Sequence, residues 1–104
     1  MEHRNGSRIP VCLNVSLWKG GKNLGWYCAR DIGPGGLSIK GALPELRLNS
    51  LVKVSIETVQ NNRFQLLDYR ALVVHKNVSS MGFMWTDYEI SLPMIIPEAI
   101  RRAA

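Results

Sequence analysis

Residues 9–17 read IPVCLNVSL, and every odd position in this stretch carries an apolar side chain. Two polar residues, Asn14 and Ser16, lie between the apolar positions. Successive side chains of an extended chain point to opposite sides, so alternation with period two is typical of a β-strand with one buried face. The stretch therefore predicts such a strand near the start of the sequence.

Further short strands are predicted after this one, separated by residues typical of turns. The predicted turns lie at residues 19–23, 33–36, 61–63 and 77–80, which are rich in Gly, Asn, Ser or Pro. The strands that they separate are predicted at residues 26–30, 37–39, 52–56, 64–75 and 81–85. Six short strands with turns between them indicate an all-β fold, a small antiparallel barrel or sandwich. Pro97 suits the first position of a helix, so a short C-terminal helix is predicted at residues 97–103.

The composition fits one globular domain, expected to span residues 1–104. Hydrophobic residues make up 46% of the chain and charged residues 20%, which excludes disorder and a coiled coil. No apolar run approaches the roughly 20 residues that a membrane-spanning helix needs. The first eight residues contain no apolar segment after their charges, which excludes a secretory signal and leads us to expect a cytoplasmic protein.

The positive charge is concentrated in the first third of the sequence. The whole chain has 13 basic and 8 acidic residues, a formal net charge of +5. Residues 1–30 contribute most of that excess, since five basic residues there face the single acid Glu2. An excess of this kind suits either a nucleic acid or a small ligand that carries phosphate.

The residue types that carry out catalysis or bind metals form no recognisable pattern. His75 lies in an apolar predicted strand without a nucleophile motif, and Asp31 and Asp68 do not form a recognisable carboxylate pair. Cys12 and Cys28 lack metal-ligand spacing, and we expect them to be buried thiols rather than a disulfide. The sequence therefore predicts no enzyme, no metal and no cofactor.

Two short motifs could together form an anion site. Arg4 and Arg8 are four residues apart, a spacing that places both side chains on one face of a helix or of an extended chain. The second motif runs from Asp31 to Gly36 and contains three glycines that would let the backbone approach a ligand. From the residues alone, a solvated tail is the preferred explanation of the first motif, and a tight turn between strands is the preferred explanation of the second.

The order of these motifs resembles the PilZ domain family. Arg4-x-x-x-Arg8 is followed about two dozen residues later by Asp31-x-Gly33-x-x-Gly36, where the family pattern is RxxxR and then D/N-x-S-x-x-G. The likeness continues through residues 73–75 and 81–85, and so extends over nearly the whole chain. It implies a six-stranded antiparallel barrel of the split-barrel type with a short C-terminal helix, and a bacterial receptor for cyclic di-GMP.

The resemblance also implies which residues bind the ligand. The positions that align with the family pattern are Arg4, Arg8, Asp31, Gly33 and Gly36. The secondary candidates, which lie beside these positions in the sequence, are Arg30, Gly35 and His3. Residues 1–8 would form a flexible N-terminal ligand-binding segment. Gly33 departs from the family pattern, which has serine there, and the hydroxyl of that serine is missing.

The expected function is to convert binding of cyclic di-GMP into altered contacts with an unidentified protein partner. The controlled process would be bacterial motility, pilus function, biofilm formation or polysaccharide synthesis, and the protein would be a monomer or a weak dimer. No nucleic acid partner is expected.

Two alternatives to a cyclic di-GMP receptor stay open. The first is a PilZ-like adaptor that binds no ligand, which the loss of the serine at Gly33 favours. The second is a small basic barrel that binds single-stranded nucleic acid through Trp18, Trp26, Tyr27 and Phe64. Against the second, most large aromatic residues in so small a domain are expected to lie in the core.

Overall fold

The structure is a computed structural model that describes residues 8–86. Its six antiparallel strands are β1 (Ile9–Lys19), β2 (Lys22–Gly33), β3 (Gly36–Lys40), β4 (Leu51–Gln60), β5 (Arg63–Lys76) and β6 (Ser80–Trp85). They close into a barrel in the order β1-β2-β3-β6-β5-β4, with β4 pairing back to β1. The predicted all-β barrel is therefore confirmed. The predicted helix at 97–103 and the predicted ligand residues His3 and Arg4 lie outside the described residues.

Two of the predicted turns are two-residue hairpin loops whose backbones need positive φ. Gly20 and Gly21 join β1 to β2 with φ of 58° and 81°. Asn61 and Asn62 join β4 to β5 with φ of 52° and 62°. Glycine and asparagine tolerate this left-handed conformation, and the resulting turn matches the twist of the two strands it joins. These two turns were predictable from their residue types.

The core fills the barrel interior with side chains from all six strands. In β1 the inward residues include Leu13, Val15 and Leu17, which confirms the odd-numbered face of the opening stretch. Leu43 and Leu46, from the connection between β3 and β4, are also buried. The largest fully buried side chain is Phe83 of β6. Burying each large apolar side chain stabilises the fold by about 1.5–3 kcal/mol, and this interior holds the barrel together.

An irregularity in β2 decides what the outer surface presents. Ala29 pairs with Ile39 of β3, whereas Asp31 pairs with the preceding residue of β3, Ser38, so Arg30 is an extra residue in the ladder. Ala29 and Ile32 are both fully buried although they are three positions apart. A regular strand cannot place both inside, so the bulge leaves Arg30 and Asp31 together on the outer face.

The expectation that the large aromatic residues lie in the core is wrong for two of them. Trp26 is 53% exposed and Phe64 is 76% exposed. Trp26 pairs with Ser16 of β1, whose own side chain is buried. Phe64 lies near the tip of the β4–β5 hairpin, beyond the segment of β4 that pairs with β1. Period two identifies the strand but not how far it extends past its neighbours.

Within residues 8–86 no helix is long and apolar enough to cross a membrane.

Candidate functional site

A shallow groove of about 350 Å³ lies where the first three strands meet β6 on the outside of the barrel. Its lining residues are Arg8, Pro10, Arg30, Asp31, Ser38 and Ser80. Three of these were singled out from the sequence. Arg8 precedes β1, and the β2 bulge supplies Arg30 and Asp31. The structure therefore brings three of the candidate ligand residues into one groove.

Arg8 and Asp31 are in direct contact across this groove. The Arg8 Nη1 atom donates to Asp31 Oδ1 over 2.5 Å, which joins two residues 23 positions apart in the chain. The two side chains keep 47% and 36% of their surface exposed. An ion pair at such an exposed position contributes only about 0–1 kcal/mol to stability, so a ligand can replace it at little cost.

Sequence reasoning missed three of the residues that line the groove. Ser38 lies directly opposite Asp31 on β3, and Pro10 lies opposite Asp31 on β1. Ser80 begins β6, where its backbone N–H and its hydroxyl both donate to Asn77 Oδ1. The alternation of Leu37 and Ile39 indicates that Ser38 faces outward. Its position opposite Asp31 depends on the β2 bulge, which the sequence does not reveal.

The glycine motif forms a hairpin rather than a wide loop. Gly33 ends β2 and pairs with Gly36 at the start of β3, so the turn itself consists of Pro34 and Gly35. Trp85 of β6 fixes this hairpin through two hydrogen bonds. Its backbone N–H donates to the Gly35 carbonyl over 2.9 Å, and its indole Nε1 donates to the Gly33 carbonyl over 3.3 Å. The reading of this motif as a tight turn between strands describes its backbone correctly.

Gly36 has a packing role that is independent of any ligand. A Cβ atom at this position would overlap the carbonyl oxygen of Phe83 on the neighbouring strand β6. It would also lie 3.0 Å from the Phe83 carbonyl carbon and 3.1 Å from Met84 Cα. Glycine is therefore needed for β3 to lie this close to β6. Ligand contact by Gly33, Gly35 and Gly36 stays a prediction.

Positive charge exceeds negative charge around the groove. Arg8 and Arg30 line it together with the single carboxylate of Asp31. Lys40 is an exposed residue of β3 that pairs with Ser80, another lining residue. This arrangement suits a ligand that carries phosphate and also offers hydrogen-bond donors to a carboxylate. Among the described residues no group of three or more His, Cys, Asp and Glu is placed to hold a metal ion.

Comparisons with known proteins identify the same family as the sequence motifs. The family model described as PilZ domain matches residues 2–98. The PilZ domain of CeSA from a cellulose-synthesizing bacterium is 25% identical, with a TM-score of 0.59 over 77% of this chain and 80% of that one. The Bacillus subtilis inhibitor of motility MotI/DgrA is 15% identical, with a TM-score of 0.71 over 98% of this chain and 51% of that one. No curated protein matches the sequence.

Proposed function

Since the chain belongs to the PilZ family, a family of cyclic di-GMP receptors, we propose that it binds cyclic di-GMP in the groove between Arg8, Asp31 and Ser38. The observation that carries this proposal is the meeting of Arg8 and Asp31. They come from the two separate motifs of the family pattern, and they touch in one exposed groove.

Arg8 and Asp31 have hydrogen-bonding groups that complement different parts of a guanine nucleotide. The guanidinium of Arg8 carries paired donors that can meet guanine O6 and N7 or grip a phosphate. The carboxylate of Asp31 accepts hydrogen bonds from the N1 and N2 donors on the opposite edge of guanine. Adenine presents a different arrangement of donors and acceptors, so Asp31 would select guanine over adenine.

The remaining candidates act around this pair in the proposal. Arg30 adds positive charge beside Asp31 on the bulge. Arg4 supplies a second guanidinium from the segment of residues 1–8, with His3 beside it. Gly33, Gly35 and Gly36 would offer backbone amides at the hairpin. Ser38, opposite Asp31, places a hydroxyl in the groove and partly replaces the one that Gly33 lacks.

Ligand binding would change the outer surface of the barrel and, through it, the contact with a partner protein. Exchange of the Arg8–Asp31 contact for contacts to the ligand changes the charge that this surface presents. We place this output in the cytoplasm of a bacterium, in the control of motility, pilus, biofilm or polysaccharide synthesis. PilZ domains are ligand-binding or adaptor domains rather than enzymes, which agrees with such a role.

Isothermal titration calorimetry of the full chain with cyclic di-GMP tests the proposal. We expect saturable binding of cyclic di-GMP, and no heat of binding with cyclic AMP or GTP at the same concentrations. Absence of binding would favour the ligand-free adaptor. Displacement of cyclic di-GMP by a single-stranded oligonucleotide would favour the nucleic acid barrel, for which exposed Trp26 and Phe64 are the available stacking surfaces.

Restoring the family serine at Gly33 is expected to tighten binding. One additional hydrogen bond to the ligand is worth about 0.5–1.5 kcal/mol, so Gly33→Ser should lower the dissociation constant by a few fold to tenfold. The measurement is the same titration, with Ser38→Ala as the opposing variant, which should weaken binding. An unchanged affinity in Gly33→Ser would show that the hairpin contacts ligand through its backbone alone.

A further inference from the structure

Two thiols on the outer face of the barrel lie close together beside the groove. Cys12 of β1 and Cys28 of β2 have their Sγ atoms 3.8 Å apart, and both are free. Cys12 is exposed and Cys28 is half-buried, so the expectation that both are buried thiols is wrong for Cys12. Their neighbours Leu13 and Ala29 are buried, so alternation turns both cysteine side chains outward.

The strand register explains why these two residues meet. Cys28 pairs with Asn14, not with Cys12. An irregularity in β1 between Pro10 and Leu13 inserts an extra residue opposite β2, and Cys12 lies in that irregular segment. Such segments shift side chains along the strand, and here the shift brings Cys12 towards Cys28.

We propose that Cys12 and Cys28 form an oxidisable dithiol, which a hydroperoxide such as hydrogen peroxide converts into a disulfide between β1 and β2. A disulfide needs a sulfur–sulfur distance of about 2.05 Å, so the two sulfurs must approach by somewhat less than about 2 Å. The proposal assigns that movement to the exposed Cys12 side chain and to the irregular segment of β1 that carries it. The inference does not depend on which ligand the groove binds.

The reaction begins at Cys12 because its sulfur is accessible to the oxidant. The Cys12 thiolate attacks one oxygen of hydrogen peroxide, the O–O bond breaks, and Cys12 becomes a sulfenic acid while hydroxide leaves. The Cys28 thiolate then attacks the Cys12 sulfur, the S–S bond forms, and the sulfenic oxygen leaves as hydroxide. Two protons from the thiols neutralise the two hydroxides, so two thiols and one peroxide give one disulfide and two waters.

The surroundings of Cys28 suit the second step rather than the first. Burial raises the pKa of the Cys28 thiol, and the hydrogen bond and charge of Cys12 raise the same pKa further. Lys40 and Arg30 act in the opposite direction and lower it. Once the Cys12 sulfur has become a sulfenic acid, it no longer bears a thiolate charge that raises the pKa of the Cys28 thiol, which favours the Cys28 thiolate in the second step.

The proposed disulfide would lie close to residues that line the groove. Pro10 and Arg30 line the groove, and each lies two residues from one of the cysteines on the same outward face. A disulfide between Cys12 and Cys28 would therefore join the two strands directly beside these two walls.

The test exposes the full reduced chain to hydrogen peroxide and counts free thiols. We expect both thiols to disappear, the intact mass to fall by two hydrogens, and dithiothreitol to reverse both changes. Digestion with trypsin without reductant should then yield a cross-linked pair of peptides, residues 9–19 joined to residues 23–30. Retention of both thiols, or oxidation that yields only disulfide-linked dimers on a non-reducing gel, would overturn the proposal.

Two single variants separate the steps of the reaction. Cys28→Ser keeps the exposed thiol and should accumulate a sulfenic acid at Cys12 that dimedone labels. Cys12→Ser keeps the half-buried thiol and should lose it at least several fold more slowly than Cys28→Ser loses its own. Equal rates in the two variants would contradict the assignment of Cys12 as the residue attacked first. Circular dichroism of both variants checks that the barrel is folded.

Discussion

Replacing Gly36 by alanine is expected to lower the free energy of unfolding by about 3 kcal/mol, because an added methyl group in a close-packed contact forces the backbone to move. The methyl group would overlap the Phe83 carbonyl oxygen and lie 3.1 Å from Met84 Cα. Both atoms belong to the backbone of β6, so neither can move aside as a side chain could. To accommodate the methyl group, β3 and β6 would have to move apart where Gly36 pairs with Met84.

Thermal unfolding monitored by circular dichroism measures this effect. For a domain of this size, a loss of about 3 kcal/mol corresponds to a fall in Tm of about 10 °C or more. Gly35→Ala is the matched control, since a Cβ atom there meets nothing within 4 Å and its φ is not positive. We expect Gly35→Ala to change stability by less than about 0.5 kcal/mol. Equal stability of the two variants would show that Gly36 is not required for packing.

Removal of the Arg8 side chain is expected to weaken cyclic di-GMP binding by about 10- to 100-fold, because a hydrogen bond to a charged group contributes about 1.5–3 kcal/mol. Asp31→Asn should give a loss of similar size. The carboxylate of aspartate has two oxygens that accept hydrogen bonds, whereas the amide of asparagine has one oxygen that accepts and one nitrogen that donates. The variant therefore cannot accept from both the N1 and N2 donors of guanine as the carboxylate can. Arg8→Lys should lie between Arg8→Ala and the unaltered protein, because lysine keeps the charge but loses the paired donors.

The control for charge is another ion pair among the described residues, Lys53 with Asp68. Its Nζ–Oδ2 distance is 3.8 Å and its side chains are exposed by 44% and 51%, so it resembles the Arg8–Asp31 pair in exposure. It lies on β4 and β5 and does not line the groove. Lys53→Ala should leave the calorimetric affinity within about twofold. A loss in Lys53→Ala equal to that in Arg8→Ala would mean that overall charge, not the groove, governs binding.

Alternation and turn residues were sufficient to predict an all-β fold of six short strands. The apolar positions of β1 predicted its buried face, and the glycine and asparagine pairs predicted two hairpin turns, whose two-residue loops are shorter than the predicted turns at 19–23 and 61–63. These signals are local, because the side-chain period and the sign of φ depend on a few neighbouring residues. A closed barrel rather than a sandwich followed from the family resemblance and not from period two.

The groove was predictable in part, since its assembly depends on register. Arg8 and Asp31 could be proposed as partners from the motif pattern. The bulge at Arg30 could not, because the sequence shows only that Ala29 and Ile32 are apolar, and either of the two residues between them could be the extra one. The outward pair of Arg30 and Asp31, and hence Ser38 as a neighbour of Asp31, required the observed pairing.

The exposure of Cys12 and Trp26 was predicted wrongly for a different reason. Both residues are of types that are usually buried, and composition assigns them to the interior. Both lie at positions of the β1–β2 hairpin whose side chains point outward, and this position determines their exposure despite the tendency of cysteine and tryptophan to be buried. Alternation alone would have placed them outside, so the error came from giving residue type priority over position.

The strand pairings determine when the groove residues can come together during synthesis of the chain. The β1–β4 pairing joins residues 35–41 positions apart and the β3–β6 pairing joins residues 40–48 positions apart. Pairings of such high contact order form slowly, in about milliseconds to seconds for small β-domains. Arg8 and Asp31 leave the ribosome early and can meet within the β1–β2 hairpin. Ser80 reaches the opposite wall only after β6 has been made and has paired with β3, so a nascent chain has no complete groove before this last strand is synthesised.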